Sequence, residues 1–160
     1  MLNKNYYAIV INSTINKSDG AELLTKFDGT TYSPNELGWD KIRFSESLFG
    51  DILFGTGRNP PTFDDFKLSG EEITTIKIQN TTFSYSKYSD GVKCIRSMFI
   101  QNIGSETITI GEVGWTTGIL RTSNNLNTVL LDRTILDEPL TLLAGESGQI
   151  NYSIYFHYGS

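Results

Sequence analysis

Among the residues of this chain that could do chemistry are 18 Asp and Glu, one His and one Cys. Its one histidine, His157, closes the alternating run QINYSIYFH. A Ser–His–Asp triad would need that imidazole beside an activated serine, and no segment resembles the nucleophile elbow that presents one. A zinc site would need cysteine or carboxylate ligands at suitable spacing around the same histidine, and none is so placed. His157 is therefore expected at the surface end of a strand. The acidic pairs Asp64-Asp65, Glu71-Glu72 and Asp137-Glu138 are adjacent in sequence. Neighbouring side chains of an extended chain point to opposite faces, so no such pair can flank one glycosidic bond. Asp64 or Asp65 is expected to cap a turn after Pro61 rather than join the several oxygens that Ca²⁺ requires. Gly55-Thr56-Gly57 lacks the later glycine of a dinucleotide fingerprint and the Gly-Lys-Ser/Thr of a P-loop, and Pro60-Pro61 follows where a helix should begin. The sequence thus assigns no catalytic, cofactor-binding or metal-binding residue, and the chain reads as a non-enzyme.

The elements that would hold these residues are strands. Between Glu106 and Tyr158 the runs ETITIGEVGW, NTVLLDRTIL, PLTLLA and QINYSIYF are separated by turn signals at Thr117-Gly118, Asp137-Glu138-Pro139 and Gly145–Gly148. Several alternate apolar and polar residues with period two, the pattern of a strand with one buried face. Val113, Trp115, Tyr152, Ile154 and Phe156 are the expected inward residues. Upstream, Tyr6–Ile11 is expected as a first strand and Asp51–Phe54 as another. Glu71–Gln79 and Thr82–Tyr88 are expected to form a hairpin. Val92–Ile103 is expected as a long strand paired with Glu106–Trp115 across a Gly104-Ser105 turn. Residues Ser18–Leu24, with Asp19 as N-cap and Glu22 as its capping partner, offer one short helix ending at Gly29, and Lys41–Phe44 offers a short strand. Gly55–Leu68, with its glycines, proline pair and aspartates, reads as a shaped loop. The expectation is a single all-β domain over residues 1–160: an antiparallel β-sandwich, jelly-roll or immunoglobulin-like, of about nine strands. Its first 47 residues have weak core patterning and are available as an irregular docking segment.

Composition narrows the function. A chain of 160 residues is long enough to bury a core without help from a disulfide or structural metal. The lone cysteine, Cys94, cannot pair within the chain; inside VKCIRSMFI it reads as a buried thiol of a protein made in the cytoplasm. The start, MLNKNYYAIVI, has too short an apolar run for a signal peptide, and no segment approaches the roughly 18 apolar residues of a membrane helix. A net charge of −5 argues against a nucleic-acid partner, because phosphate binding needs a basic face. Nine Phe, eight Tyr and two Trp leave room for stacking on sugars, so a carbohydrate-binding or host-adhesion module is the alternative reading.

Four segments in order resemble a known group. LFGTGRNPPTFDDFKL, ITIGEVGW, LLDRTIL and LTLLAGESGQINYSIYF are similar to tailed-bacteriophage structural proteins. These share a Gly-Thr-Gly…Pro…Asp-Asp-x-x-Leu loop, an Ile-x-Glu-(Val/Ile)-Gly strand, a Leu-x-x-Arg strand and a Gly-Glu-Ser/Thr turn into an alternating strand. The matching positions are Gly55–Leu68, Ile110–Trp115, Leu130–Arg133 and Gly145–Phe156; residues before Leu48 contribute little. The resemblance implies a non-enzymatic virion component, made in the host cytoplasm. It implies assembly with capsid or tail proteins, as a capsid decoration or a tail-associated part, and with further copies of itself.

Overall fold

A computed structural model of the chain describes residues 2–8, 24–32, 51–120 and 126–157. It is an antiparallel β-sandwich. The strands are β1 (Leu24–Thr25), β2 (Thr31–Tyr32), β3 (Ile52–Gly55), β4 (Ile76–Tyr88), β5 (Gly91–Asn102), β6 (Ile108–Leu120), β7 (Leu126–Leu142) and β8 (Ser147–His157). One three-stranded sheet has the order β3-β6-β7 and the other β4-β5-β8, while β1 and β2 form a small separate pair.

Alternation along the strands builds the core. Val113 and Trp115 of β6, with Val129 and Leu131 of β7, meet Met98 and Ile100 of β5 and Ile150, Tyr152 and Ile154 of β8 in one buried cluster, with Phe156 packed against its edge. All five residues expected to face inward do so. A buried polar link crosses this interior: the Tyr152 hydroxyl donates to Asp132 Oδ2 at 2.6 Å, tying β8 to β7. Burial pushes the Tyr152 hydroxyl well above the ordinary tyrosine range, with the neighbouring Asp132 carboxylate adding to the effect, so it stays a donor.

Pairing differs from the sequence expectation in four places. Glu71–Tyr88 contains no hairpin: β4 runs unbroken and pairs with β5 along its length, with only a bulge between Ile78 and Asn80. The Asn80 side chain accepts the Thr81 N–H at 2.8 Å, meeting locally a polar demand that resembled a turn. The real turn is Ser89-Asp90, between the paired Tyr88 and Gly91. Secondly, β5 does not pair with β6. Gly104-Ser105 carries the chain from one sheet to the other, and β5 lies between β4 and β8. Fully buried Asn102 organises that arch. Its amide donates to the carbonyls of Glu106, Leu142 and Leu143 at 2.7–3.3 Å and its oxygen accepts the Gly104 N–H.

Thirdly, Thr117-Gly118 and Asp137-Glu138-Pro139 lie inside β6 and β7 rather than between strands. The ladder jumps from Ile110↔Leu140 to Glu112↔Ile135, so the acidic-proline segment is a bulge that leaves the ladder and returns to it. Proline is tolerated there because a bulge does not require its missing N–H. The expected Gly145 turn is present, with Gly145 at φ 76° in the left-handed region that favours glycine. Lastly, residues 4–8 are helical where a strand was expected at Tyr6–Ile11. Asn3 Oδ1 accepts the N–H groups of Asn5 and Tyr6 at 3.0 and 3.3 Å, which is N-cap geometry. The expected helix at Ser18–Leu24 and strand at Lys41–Phe44 fall outside the described residues, except that Leu24 belongs to β1. Gly29 sits at φ 83° in the turn between β1 and β2.

Candidate functional site: a buried polar centre beneath the Gly55–Leu68 loop

Strand β6 is the middle of its sheet, and alternation gives it two duties. Val113 and Trp115 face the opposing sheet, while Glu112 points the other way, under the loop that follows β3. A carboxylate on the outer face of a sheet would ordinarily meet water; Glu112 is fully buried. The loop compensates with donors. Glu112 Oε1 accepts the backbone N–H groups of Gly57 (3.2 Å) and Gly70 (2.8 Å). Oε2 accepts the N–H and hydroxyl of Ser69 at 3.1 and 3.0 Å, and Arg133 Nη1 at 2.9 Å.

Arg133 reaches this point from β7, where Gly114↔Arg133 is a register pair. It is 2% exposed. Its Nε and Nη2 both lie 2.8 Å from Asp65 Oδ2, and Nη1 and Nη2 donate to the carbonyls of Asn59 and Pro60 at 2.8 and 2.9 Å. With Nη1 also on Glu112, the fixed fork of a guanidinium is spent on one loop and one strand. Asp65 completes the turn expected after Pro61, accepting the Thr62 N–H and hydroxyl at 2.8 and 2.9 Å. Asp64, its neighbour, faces outward to Lys4 at 3.3 Å.

Protonation follows from this geometry. Burial pushes the Glu112 carboxyl up, but the N–H groups of Gly70 and Ser69 and the Arg133 guanidinium outweigh it, and the net shift is downward. Asp65 behaves alike: burial raises it, while Thr62 and Arg133 bring it below the usual carboxylate range. Both are held as anions.

Small residues let the layers close. A Cβ on Gly57 would collide with the Ser69 hydroxyl and with Glu112 Oε1, and would lie 2.5 Å from the Gly70 nitrogen. Gly111 admits the Gly57 and Thr56 carbonyls at equally short range, and Gly55 and Gly114 make room for Leu68. Gly57 lies outside the left-handed region, so space and not backbone angle is the constraint. Gly57→Val is accordingly expected to lower the unfolding free energy by about 1–3 kcal/mol, the usual cost of overpacking. Urea titration of the variant checks it, and a midpoint equal to wild type would show that the loop yields at no cost.

The amino-terminal residues seal the same centre from the side. Leu2 bridges to Asp132 on the outer edge of β7. Asn3 Nδ2 donates to the carbonyls of Asp65 and Leu130, both at 2.8 Å. Asn5 Nδ2 donates to Leu130 and Thr25, and its oxygen accepts the Thr25 N–H at 2.7 Å. Tyr6 then packs between Trp115 and Phe156 of the two sheets. The segment expected as a docking arm thus has its described parts against β7, β1 and the loop; most of residues 9–47 lies outside the described residues.

Other candidate residues lie apart from this centre. The His157 side chain is 71% exposed, 3.9 Å from Asp90, and its ring lies 4.3 Å from that of Tyr155. Cys94 is a free, half-buried thiol on β5. Among the described residues no group of three or more His, Cys, Asp or Glu is placed to hold a metal, and no helix is long and apolar enough to cross a membrane. Sequence reasoning missed Glu112 and Arg133 as partners. The available signal was Glu112 between Gly111 and Gly114, small neighbours that admit a covering layer. Compared with known proteins, the chain matches no protein-family model, no curated protein and no solved structure.

Proposed function

We propose that the protein is a non-enzymatic structural component of a bacteriophage virion, assembling with capsid or tail proteins. One observation carries this reading. The segments whose order resembles phage structural proteins, Gly55–Leu68, Ile110–Trp115 and Leu130–Arg133, meet in one polar centre through Asp65, Glu112 and Arg133. Motif residues scattered over the sequence thereby act as one folding unit. Their polar atoms are committed to backbone groups of the loop and to one another, which is the behaviour of a scaffold and not of a group that turns over substrate.

Mass spectrometry of purified particles from the encoding phage tests the reading, with the chain expected at stoichiometric copy number. Hundreds of copies would assign it to shell decoration or tail tube, a few to a connector or tip. Absence from particles overturns the proposal. A host-adhesion role has one feature in its favour: β4, β5 and β8 share an outer face of hydroxyl and amide side chains, among them Thr82, Ser84, Ser97, Asn151 and Ser153, with Phe99 49% exposed beside them. Glycan-array binding lost on Phe99→Ala would favour that role instead.

A further inference from the structure

We infer that β4 is a self-pairing edge through which two copies of this chain form a two-fold dimer. Among the described residues β4 is the outermost strand of its sheet, with β5 on its only paired side. It is 13 residues long, and residues 82–88 are all exposed. Edge strands are ordinarily blunted by charge, proline or a bulge, because their unpaired N–H and C=O groups template another strand. In β4 the charges are Lys77 and Lys87, near the two ends, and the one bulge lies upstream between Ile78 and Asn80. From Asn80 to Tyr88 the strand is regular, uncharged except for Lys87, and carries three large exposed aromatics, Phe83 (56%), Tyr85 (68%) and Tyr88 (50%).

The occupant follows from the order of side chains. An antiparallel strand pair about a two-fold axis at Ser84 sets Phe83 opposite Tyr85 of the second copy, and Tyr85 opposite its Phe83. These residues share one face of the sheet. Lys87 meets Thr81 on that same face, and on the other face Thr82 meets Ser86 and Ser84 meets itself. Aromatic pairs and hydroxyl pairs are favourable cross-strand neighbours, and no charge opposes a like charge. An isologous contact of this kind closes on itself at two copies. The inference is independent of the virion reading, since it concerns the isolated chain.

Sedimentation equilibrium of the full chain at high micromolar concentration is expected to give twice the 17.9 kDa chain mass. Ser84→Lys, which opposes two lysines on the axis, is expected to give monomer with an unchanged melting temperature. Register is read by crosslinking in a Cys94→Ala background. Facing residues of an antiparallel pair have Cα atoms about 4.5–5.5 Å apart, within the roughly 4.4–6.8 Å that a disulfide spans. Oxidised Ser84→Cys should therefore become covalent dimer, and Thr82→Cys, which faces Ser86, should not. A monomeric wild type, a dimer indifferent to Ser84→Lys, or equal crosslinking by the two cysteine variants overturns the inference.

Discussion

Replacing Glu112 with alanine is expected to lower the unfolding free energy by about 3–5 kcal/mol, the cost of removing one partner from a buried ion pair. Against a typical total of about 5–15 kcal/mol, that leaves a marginal fold. The backbone explains why this change should exceed Arg133→Met. Without Glu112, the N–H groups of Gly57, Ser69 and Gly70 lose their acceptor, and Arg133 loses one of its two carboxylates. Without Arg133, Glu112 keeps four of its donors, the three N–H groups and the Ser69 hydroxyl. Because the residues share a network, the double variant is expected to cost less than the sum, by about 0.5–3 kcal/mol. Urea denaturation of the single and double variants measures both quantities. Additive losses, or a Glu112→Ala loss below that of Arg133→Met, would contradict the hierarchy.

The same centre sets an acid limit. The folded-state values of Glu112 and Asp65 are both lowered, so they contribute stability that is fully present above their unfolded values, about 4.3 and 3.9. That contribution is lost as pH falls through the folded values, below about 4, where the unfolded chain binds protons first. Glu112→Gln should flatten the fall in melting temperature over this range while lowering the plateau at neutral pH.

How much of this was legible in the sequence depended on whether a local pattern had a local cause. Val113, Trp115, Tyr152, Ile154 and Phe156 were readable because alternation reports burial against a facing sheet, and the core formed where alternation placed it. Asp65 was readable as a turn cap because Thr62 is three residues away. Glu112 and Arg133 were not. A carboxylate between apolar residues on a strand looks solvated, and what makes it buried is a loop more than forty positions upstream. Turn-forming residues misled for a related reason. Asn80, Gly118 and Pro139 favour turns when the chain is considered locally, yet long ladders absorbed each of them, Asn80 just after a bulge, Pro139 within one and Gly118 in regular pairing.

The amino-terminal residues bring the structural and assembly readings into direct competition. Asn5→Ala is expected to leave three buried backbone groups without their partner: the Thr25 N–H, the Thr25 carbonyl, and the share of the Leu130 carbonyl that Asn5 satisfies. Each buried group so exposed costs about 1–3 kcal/mol, and Asn3 relieves the third by donating to the same Leu130 oxygen. Asn3→Ala removes the helix cap as well, which typically adds about 1 kcal/mol. The two changes together should therefore lower stability by several kcal/mol. They should also speed hydrogen exchange at β1 and along the outer edge of β7 more than in β5, because the segment seals those strands and not the far sheet. A docking arm would behave differently: its loss would spare the melting temperature and reduce assembly into particles. If the double variant melts like wild type, residues 2–8 are a detachable arm despite their contacts. If it melts early, any arm must come from elsewhere in the chain, and residues 2–8 are a wedge that completes the sandwich.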